Sequence, residues 1–442
     1  MNDLRGKLLD NPYQGYVYSY PHKTSYRPFS EAMPLQSIWR EEDRESLFLY
    51  VHIPFCEMRC GFCNLFTMAN PHGDKVTEYL NALERQARVV KNAIGDAAFT
   101  QLAVGGGTPS FLHEHEMERL FSIIEGTMGA NPSRAPMSFE VSPKTVTREK
   151  LKFLSERGVV RISIGVQSFL EEESKLLGRS QRNTEVYRAL EMIREQGFPA
   201  LNIDLIYGGA GQNAATWKHT LDKTLEFSPE EIYLYPLYVR PLTGLEKMGM
   251  SWDNFRLQLY REGRDYLLSN GYEQVSMRMF RKRHHLQHKN SIRYCCQEDG
   301  MVGLGSGARS YTRHIHYSTE YAVGRRGVVD IINNYCHETD KGFGLASYGI
   351  ILNEEDQKRR YLIKSLLHGG EGLNTARYRE LFLSDVFTEF PELTQLIDAE
   401  LFRVAGDDEI KLTPSGMELS DSIGPWLYSQ NIDRLMKVYE LR

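Results

Sequence analysis

No stretch of this chain carries an unbroken apolar run of the length a bilayer span requires, and its opening residues lack the order of a secretory signal. Neither sign of charge dominates: 53 Lys and Arg stand against 58 Asp and Glu, for a net charge of −5. That balance gives no general nucleic-acid footprint. Cysteine is sparse, six in 442 residues, three of them clustered and two adjacent. Such usage makes no disulfide framework and is what a protein of the reducing cytoplasm is expected to show. What remains is ordinary for a globular chain, 41% hydrophobic and 25% charged, and the length allows two or three domains, one of them large.

The clustered cysteines form one stretch, Cys56-Glu57-Met58-Arg59-Cys60-Gly61-Phe62-Cys63. The preceding run, Leu47 to Pro54, alternates apolar and aromatic residues and reads as a buried strand. The cysteines therefore sit on a loop at a strand's carboxyl end, where α/β folds bind ligands. Three thiolates on one tight loop repel one another unless a cation shares their charge. A structural zinc normally closes with four ligands, and no fourth ligand is evident beside Asn64, Leu65 or His52. Three ligands on a four-iron cluster would leave one iron open to an exchangeable molecule. Three reduced core cysteines, or a zinc completed from a distant part of the chain, remain the alternatives.

From Leu47 to about Arg240 strands and helices alternate. After the first strand, the candidates are Gln101–Gly105, Ser138–Ser142, Arg161–Gln167, Leu201–Tyr207 and Glu231–Val239, short and β-branched enough for a parallel core. Helices are expected over Asp74–Ala93, His113–Gly126, Thr147–Gly158, Thr184–Gly197 and Ala214–Phe227. Six such units predict an α/β fold, a partial (β/α)6 TIM-like barrel open at one side, with its site at the strand carboxyl ends. The turn Gly105-Gly106-Gly107-Thr108-Pro109 would expose N–H groups to an anion, or be a plain strand-to-helix turn. Glu140, Gln167 and Asp204 fall at or near the ends of successive strands. A polar group there is a satisfied core residue when taken singly, but three in succession point to one pocket. Arg179 follows close enough to reach a carboxylate in it.

The expected division is an N-terminal arm (1–46), the barrel (47–240), an accessory extension (241–354) and a C-terminal domain (355–442). The arm is rich in Tyr and Pro and reads as an extended wrap. Ser251–Asn270 reads as a helix. The run Arg281-Lys282-Arg283-His284-His285-Leu286-Gln287-His288-Lys289 is a solvated loop or a receiver for an anionic substrate. Cys295 and Cys296, being adjacent, are poorly placed for a mutual disulfide and read as bystanders or as a radical hydrogen donor or methyl acceptor. Cys336 reads as a small core residue. In the last segment Tyr361–Leu367, Thr375–Phe382 and Thr394–Leu401 read as helices and Glu409–Leu412 as a strand, with Thr413 opening a final helix.

The C-x3-C-x2-C spacing with an aromatic before the last cysteine resembles the radical S-adenosylmethionine (SAM) enzymes. Together with Gly-Gly-Gly-Thr-Pro, Gly-Val-Gln-Ser-Phe and Asn-Ile-Asp-Leu-Ile-Tyr-Gly, it is similar to the oxygen-independent coproporphyrinogen III oxidase-like family, which also holds haem chaperones, haem-opening enzymes and C-methyltransferases. The resemblance implies a [4Fe-4S] cluster on Cys56, Cys60 and Cys63 and a SAM that yields a 5′-deoxyadenosyl radical. It implies that Tyr50, Phe62, Gly106, Gly107, Thr108 and Glu140 line that SAM, and that Gln167, Arg179 and Asp204 meet a second one. It further implies a small organic substrate, possible tetrapyrrole chemistry as an oxidoreductase or a methyltransferase, a flavodoxin or ferredoxin as reductant, and a winged-helix-like C-terminal domain serving as a cover. Three positions depart from relatives: Leu65 stands where the oxidase has a further cysteine, the stretch His288 to Cys296 lacks the chaperones' tryptophan, and Arg309 follows the Gly303–Ala308 turn. The first of these leans toward a reaction other than the oxidase's.

Overall fold

Short segments that put Val, Ile and Leu on one face and polar or small residues on the other lie side by side, with helices covering the apolar face. The computed structural model describes residues 4–16, 19–249, 255–283, 294–368 and 372–441. Its strands in chain order are β1 (Arg27–Pro34), β2 (Leu47–Ile53), β3 (Phe99–Gly106), β4 (Met137–Val141), β5 (Arg161–Gln167), β6 (Ala200–Tyr207), β7 (Glu231–Pro236), β8 (Tyr272–Gln274), β9 (Met279–Lys282), β10 (Met301–Leu304), β11 (Arg309–Tyr311), β12 (Ile315–Ser318) and β13 (Leu345–Ile351). Among the described residues these form one sheet in the order β1-β13-β12-β11-β10-β2-β3-β4-β5-β6-β7-β9-β8. Every neighbour from β10 to β7 is parallel. The order is linear, so the barrel is partial and open. Residues after 240 extend both of its edges, β8 and β9 on one side and β10 to β13 on the other, rather than one edge alone.

Period-two burial aims the strands. In β2, Leu47, Leu49, Val51 and Ile53 are 1% exposed or less and face the helices, which leaves Phe48, Tyr50 and His52 on the inner face. Helix Lys75–Ile94 packs Tyr79, Leu80, Leu83, Ala87 and Val90 against them. Thr147 caps the helix Arg148–Glu156 by accepting from the Lys150 N–H at 3.2 Å.

Several elements differ from the sequence pattern. The expected helix over His113–Gly126 is regular only from Glu114 to Phe121; beyond it Met128 N–H bonds the Ile123 carbonyl, a widened turn. Strand β7 stops at Pro236, whose pairing with Tyr207 is the last of the ladder, closed by Leu237 N–H on the Tyr207 carbonyl at 2.8 Å. The helix after residue 250 is seen over Arg256–Ser269, and 251–254 lie outside the described residues. The arm is not simply extended: it holds a helix, Leu4–Asp10, and β1, which joins the sheet through β13. The helix at the start of the last segment is longer, Glu354–His368, while the one expected over Thr394–Leu401 is Leu393–Asp398. Instead of one final helix there are three, Pro414–Glu418, Ser420–Trp426 and Gln430–Lys437, the last opened by a Ser429 cap.

A second apolar core belongs to the C-terminal segment, where Leu362, Ile363, Leu393, Leu396 and Ile423 surround a small antiparallel sheet of Leu373–Asn374, Glu409–Leu412 and Phe402–Val404. This is the winged-helix-like unit. The arm reaches both cores: Tyr13 sits in the barrel core, and Leu4, Leu8, Tyr20 and Tyr26 in the other. Asp356 accepts from Tyr20 Oη at 2.8 Å and from Ser429 Oγ at 2.6 Å, tying arm, long helix and last helix together.

One contact between the two units is a buried ion pair, Arg278 with Asp421, at 6% and 1% side-chain exposure, with Tyr238 Oη also on Asp421 and the Tyr16 ring 3.9 Å from the guanidinium. A buried pair broken on one side leaves an uncompensated charge. Asp421→Ala is expected to destabilise the protein by about 3–5 kcal/mol, and Arg278→Met with Asp421→Leu by much less. Chemical denaturation of both variants measures the difference.

Candidate functional site

The loop after β2 is closed into a hoop by a parallel pairing of Phe55–Cys56 with Met68–Ala69. Its middle is pinned from outside: Gly61 N–H bonds the carbonyls of Leu177 (3.1 Å) and Gly178 (3.2 Å), and its own carbonyl accepts from Leu245 N–H at 2.8 Å. A Cβ at Gly61 would lie 2.9 Å from the Leu177 oxygen, so the close approach needs glycine. Phe62 packs against the cluster of Leu177, Ile206, Leu237 and Leu245.

The glycine turn backs onto the first cysteine. The register of β2 and β3 sets Ile53 opposite Gly106. Gly107 N–H then reaches the Ile53 carbonyl at 2.8 Å and Thr108 N–H the Phe55 carbonyl at 2.7 Å. A Cβ on Gly107 would meet the Phe55 oxygen at 2.6 Å and Cys56 Sγ at 2.9 Å. Gly106, at φ 119, occupies backbone space that side-chain residues avoid. Each sulfur has a neighbour on the protein: Thr108 Oγ1 donates to Cys56 Sγ at 3.4 Å, Arg179 Nη1 to Cys60 Sγ at 3.4 Å, and Thr67 Oγ1 lies 3.8 Å from Cys63 Sγ.

The remaining predicted residues line the barrel beneath. Tyr50 Oη is 3.1 Å from His52 Nδ1, whose Nε2 is 3.0 Å from the Phe66 carbonyl. Burial, only partly opposed by that carbonyl, holds the His52 ring down to about 4, so it is a neutral packing element here. Glu140 Oε2 accepts from Gly106 N–H at 3.0 Å. The Glu140 side chain is exposed to the cleft, with protein packed densely around its base. That packing pushes its carboxyl up to about 7, against the pull of the Gly106 N–H and with help from the charge of Asp204. Asp204 accepts from Asn202 Nδ2 at 2.8 Å and Ser163 Oγ at 3.4 Å; burial lifts it to about 6 despite those bonds and Arg161.

Gln167 ends β5 at φ 70, where a register shift turns the strand, and it curls over Gly165. Arg179 Nη2 catches the Gly165 carbonyl at 2.8 Å and Gln181 Nε2 the Val166 carbonyl at 2.9 Å. Arg179 thus bridges the bulge to Cys60 instead of meeting a carboxylate. Thr67, Ser163 and Asn202 were not singled out from the sequence. Asn202 has a signal, since it shares the inward period of Asp204; Thr67 has none.

Burial raises the thiols of Cys56 and Cys60 above the ordinary range; Thr108 opposes this at Cys56 and Arg179 at Cys60. Thiolates on this loop therefore need a cationic partner. Among the described residues no three His, Cys, Asp or Glu side chains are arranged around a single metal ion. A cuboidal cluster differs, since its thiolates bind separate irons. All six cysteines are free, and the exposed Leu65 supplies no fourth sulfur. The donor set fits a cluster held at three corners better than a closed zinc.

Comparison with known proteins agrees with that chemistry. The radical SAM superfamily model matches residues 50–224. Residues 50–224 are thus similar to that superfamily. The matched stretch runs from within β2 into the helix after β6 and includes the three clustered cysteines, the glycine turn, Glu140, Gln167, Arg179 and Asp204, while Leu237 and Leu245 lie beyond it. The superfamily's cofactors are a [4Fe-4S] cluster and SAM. Over 376 residues the chain is 29% identical to an oxygen-independent coproporphyrinogen III oxidase of Escherichia coli (strain K12), covering 80% of each. It is 26% identical to heme chaperone HemW of Bacillus subtilis (strain 168), covering 85% of this chain and 97% of that one. The solved structure of the E. coli coproporphyrinogen III oxidase HemN, described as a radical SAM enzyme, superposes with a TM-score of 0.77 at 25% identity, over 96% of this chain and 98% of the other.

Gly107→Ala is expected to fold but to take up markedly less iron on anoxic reconstitution, because its methyl group displaces Cys56. Iron analysis beside circular dichroism checks both halves. A second expectation concerns pH. Glu140 keeps its proton to about 7 when folded, against an ordinary 4.5, so the folded state binds more protons between those values and stability falls as pH rises through them. Glu140→Gln should lessen that fall, as read by urea unfolding at about pH 5 and about pH 7.5.

Proposed function

We propose that Cys56, Cys60 and Cys63 hold a [4Fe-4S] cluster by three corners and that the chain cleaves SAM to begin radical chemistry on an organic substrate, a tetrapyrrole by likeness to the coproporphyrinogen oxidases. The observation that carries this reading is the seating of the Gly105–Gly107 turn on Cys56: the N–H groups of Gly106, Gly107 and Thr108 are spent on Glu140, Ile53 and Phe55, so the turn braces the thiolate loop at one end of the barrel instead of offering free donors to an anion. When bound, the cluster supplies the electron that turns SAM into a 5′-deoxyadenosyl radical.

The chain's own residues orient and shield. Gly106, Gly107 and Thr108 present backbone and hydroxyl groups to the amino-acid end of SAM, with Glu140 beneath to take its ammonium. Tyr50 and Phe62 wall the nucleoside. Arg179, on Cys60, offsets sulfur charge and excludes water from that side. Gln167 and Asp204 are left for a second SAM, which C-methyl transfer would consume. The same reading keeps the arm, barrel, extension and C-terminal unit as the chain's divisions and gives it a flavodoxin or ferredoxin as reductant in the cytoplasm.

A haem chaperone is the second reading, favoured by the near-complete coverage of HemW, 97% of its length. Anoxic incubation with SAM and a reductant, followed by mass spectrometry of the nucleosides, separates the outcomes. 5′-Deoxyadenosine alone supports oxidation, added S-adenosylhomocysteine supports methyl transfer, and tight haem binding with neither product supports the chaperone.

Cys60→Ala is expected to lose the cluster and all SAM cleavage, and a brown, active variant would refute the assignment. Asp204→Ala is expected to keep the cluster while shifting the ratio of 5′-deoxyadenosine to S-adenosylhomocysteine in the same assay.

A further inference from the structure

The helix Glu354–His368 turns two basic side chains inward, one turn apart: Arg360 at 5% and Lys364 at 6% exposure. Arg360 donates to the carbonyls of Gln297 at 2.7 Å and Cys296 at 3.2 Å, while its buried Nε meets no acceptor. Lys364 bonds no described residue, and among those residues no carboxylate lies within ion-pair distance of either cation. Near them on β12, His316 is 1% exposed with both ring nitrogens unpartnered. Arg309, on β11, adds its charge to the same region: burial, together with Arg360, Lys364 and Arg309, holds His316 neutral, and burial, with Arg360 and Arg309, depresses Lys364.

The acids nearby are engaged elsewhere. Glu42 accepts from Arg313 N–H at 2.9 Å, Asp299 from Ser46 Oγ at 3.0 Å and from Cys295 N–H, and Glu298 pairs with Arg377. Two like charges buried one turn apart cost stability unless an anion neutralises them. The cluster lies on the β10–β13 side of the sheet, which adjoins β2. Strand β10 sets Gly303 opposite Tyr50, β11 follows directly, and rings run from Tyr294 to Phe48 (5.2 Å), Tyr50 (6.5 Å) and His52 (6.0 Å).

We propose that Arg360, Lys364 and His316, together with Arg309, form an oxyanion-binding end of the substrate cleft, which receives a carboxylate or phosphate of the substrate. The C-terminal unit thereby supplies part of the substrate site through its first helix. This rests on the cleft being the reaction site, but it predicts anion binding whether or not the cluster is present.

The test uses the full chain, with and without reconstituted iron. Coproporphyrin III serves as a tetracarboxylate probe, its tetramethyl ester as the uncharged control, and inorganic pyrophosphate as the phosphate probe. The acid should bind about 10- to 100-fold more tightly than the ester, and Lys364→Met should remove most of that difference while leaving iron content unchanged. Lys364→Met should also raise the melting temperature of the ligand-free protein, since it deletes a buried charge. Pyrophosphate binding that is lost in Lys364→Met, with the porphyrin indifferent, assigns the same site to a phosphorylated substrate. Equal affinities of acid and ester, with pyrophosphate unaffected by the substitution, overturn the proposal. Loss of iron alone, with anion binding intact, would instead count against the cluster assignment and leave this one standing.

Discussion

The parallel pairing of Ile53 with Gly106 is the constraint from which the site follows. It brings the end of one strand against a turn without side chains, so backbone can lie where a Cβ would strike Cys56. Slip that register by one residue and Tyr50 and His52 turn toward the helices while Leu49 and Val51 turn into the cleft. The cysteine hoop, the Thr108 hydroxyl and the Glu140 carboxylate are all positioned relative to this one pair. Pinning of Gly61 from the Leu177–Gly178 turn and from Leu245 completes the placement, so the hoop is held by three separate parts of the barrel rim.

Charge is arranged in levels within the barrel. At the amino ends of the strands, Arg161 pairs with Glu231 at 2.7 Å and bonds Ser138, a satisfied ionic floor. Above it Asp204 and Glu140 sit without a full counter-charge, and both are pushed toward protonation. At the mouth Arg179 faces sulfur. A ligand bearing an ammonium or sulfonium centre would relieve the middle level, because cationic charge favours the ionised carboxylates there. The buried cations beyond β10 have the opposite need. The proposed anion site would give one cleft negative charge on one wall and positive charge on another.

The arm and the C-terminal unit are fastened to the barrel by aromatic and ionic contacts. Tyr13 meets Tyr207 and Tyr238 edge to face, and Tyr16 covers Arg278. Asp421, from the C-terminal helices, completes the Arg278 pair. These contacts fasten the two cores through polar groups that are expensive to separate once desolvated. The C-terminal unit thus gains a defined position against the barrel from ionic and aromatic contacts rather than from apolar area alone.

Much of this was legible in the residues themselves. Period-two apolar runs marked all six barrel strands to within a few positions, and the cysteine spacing marked the loop, because both depend on neighbours in sequence. Strand ends and helix ends were less legible, as at Pro236, where β6 runs out of partners at Tyr207, and at Phe121, where a widened turn overrides the local pattern. Arg179 was expected to meet a carboxylate, and only the fold showed it bridging a bulge to Cys60. The basic run at 284–289, a candidate anion receiver, lies outside the described residues, whereas the buried pair Arg360 and Lys364 was not singled out from the sequence. The sequence by itself determined the βα order, the three sulfur donors and the glycine turn, since covalent spacing and side-chain periodicity are properties of the chain. Which polar groups share a cleft, which are starved of a counter-ion, and which edges the later strands join were decided only by tertiary structure, because burial and charge proximity exist only once distant segments meet.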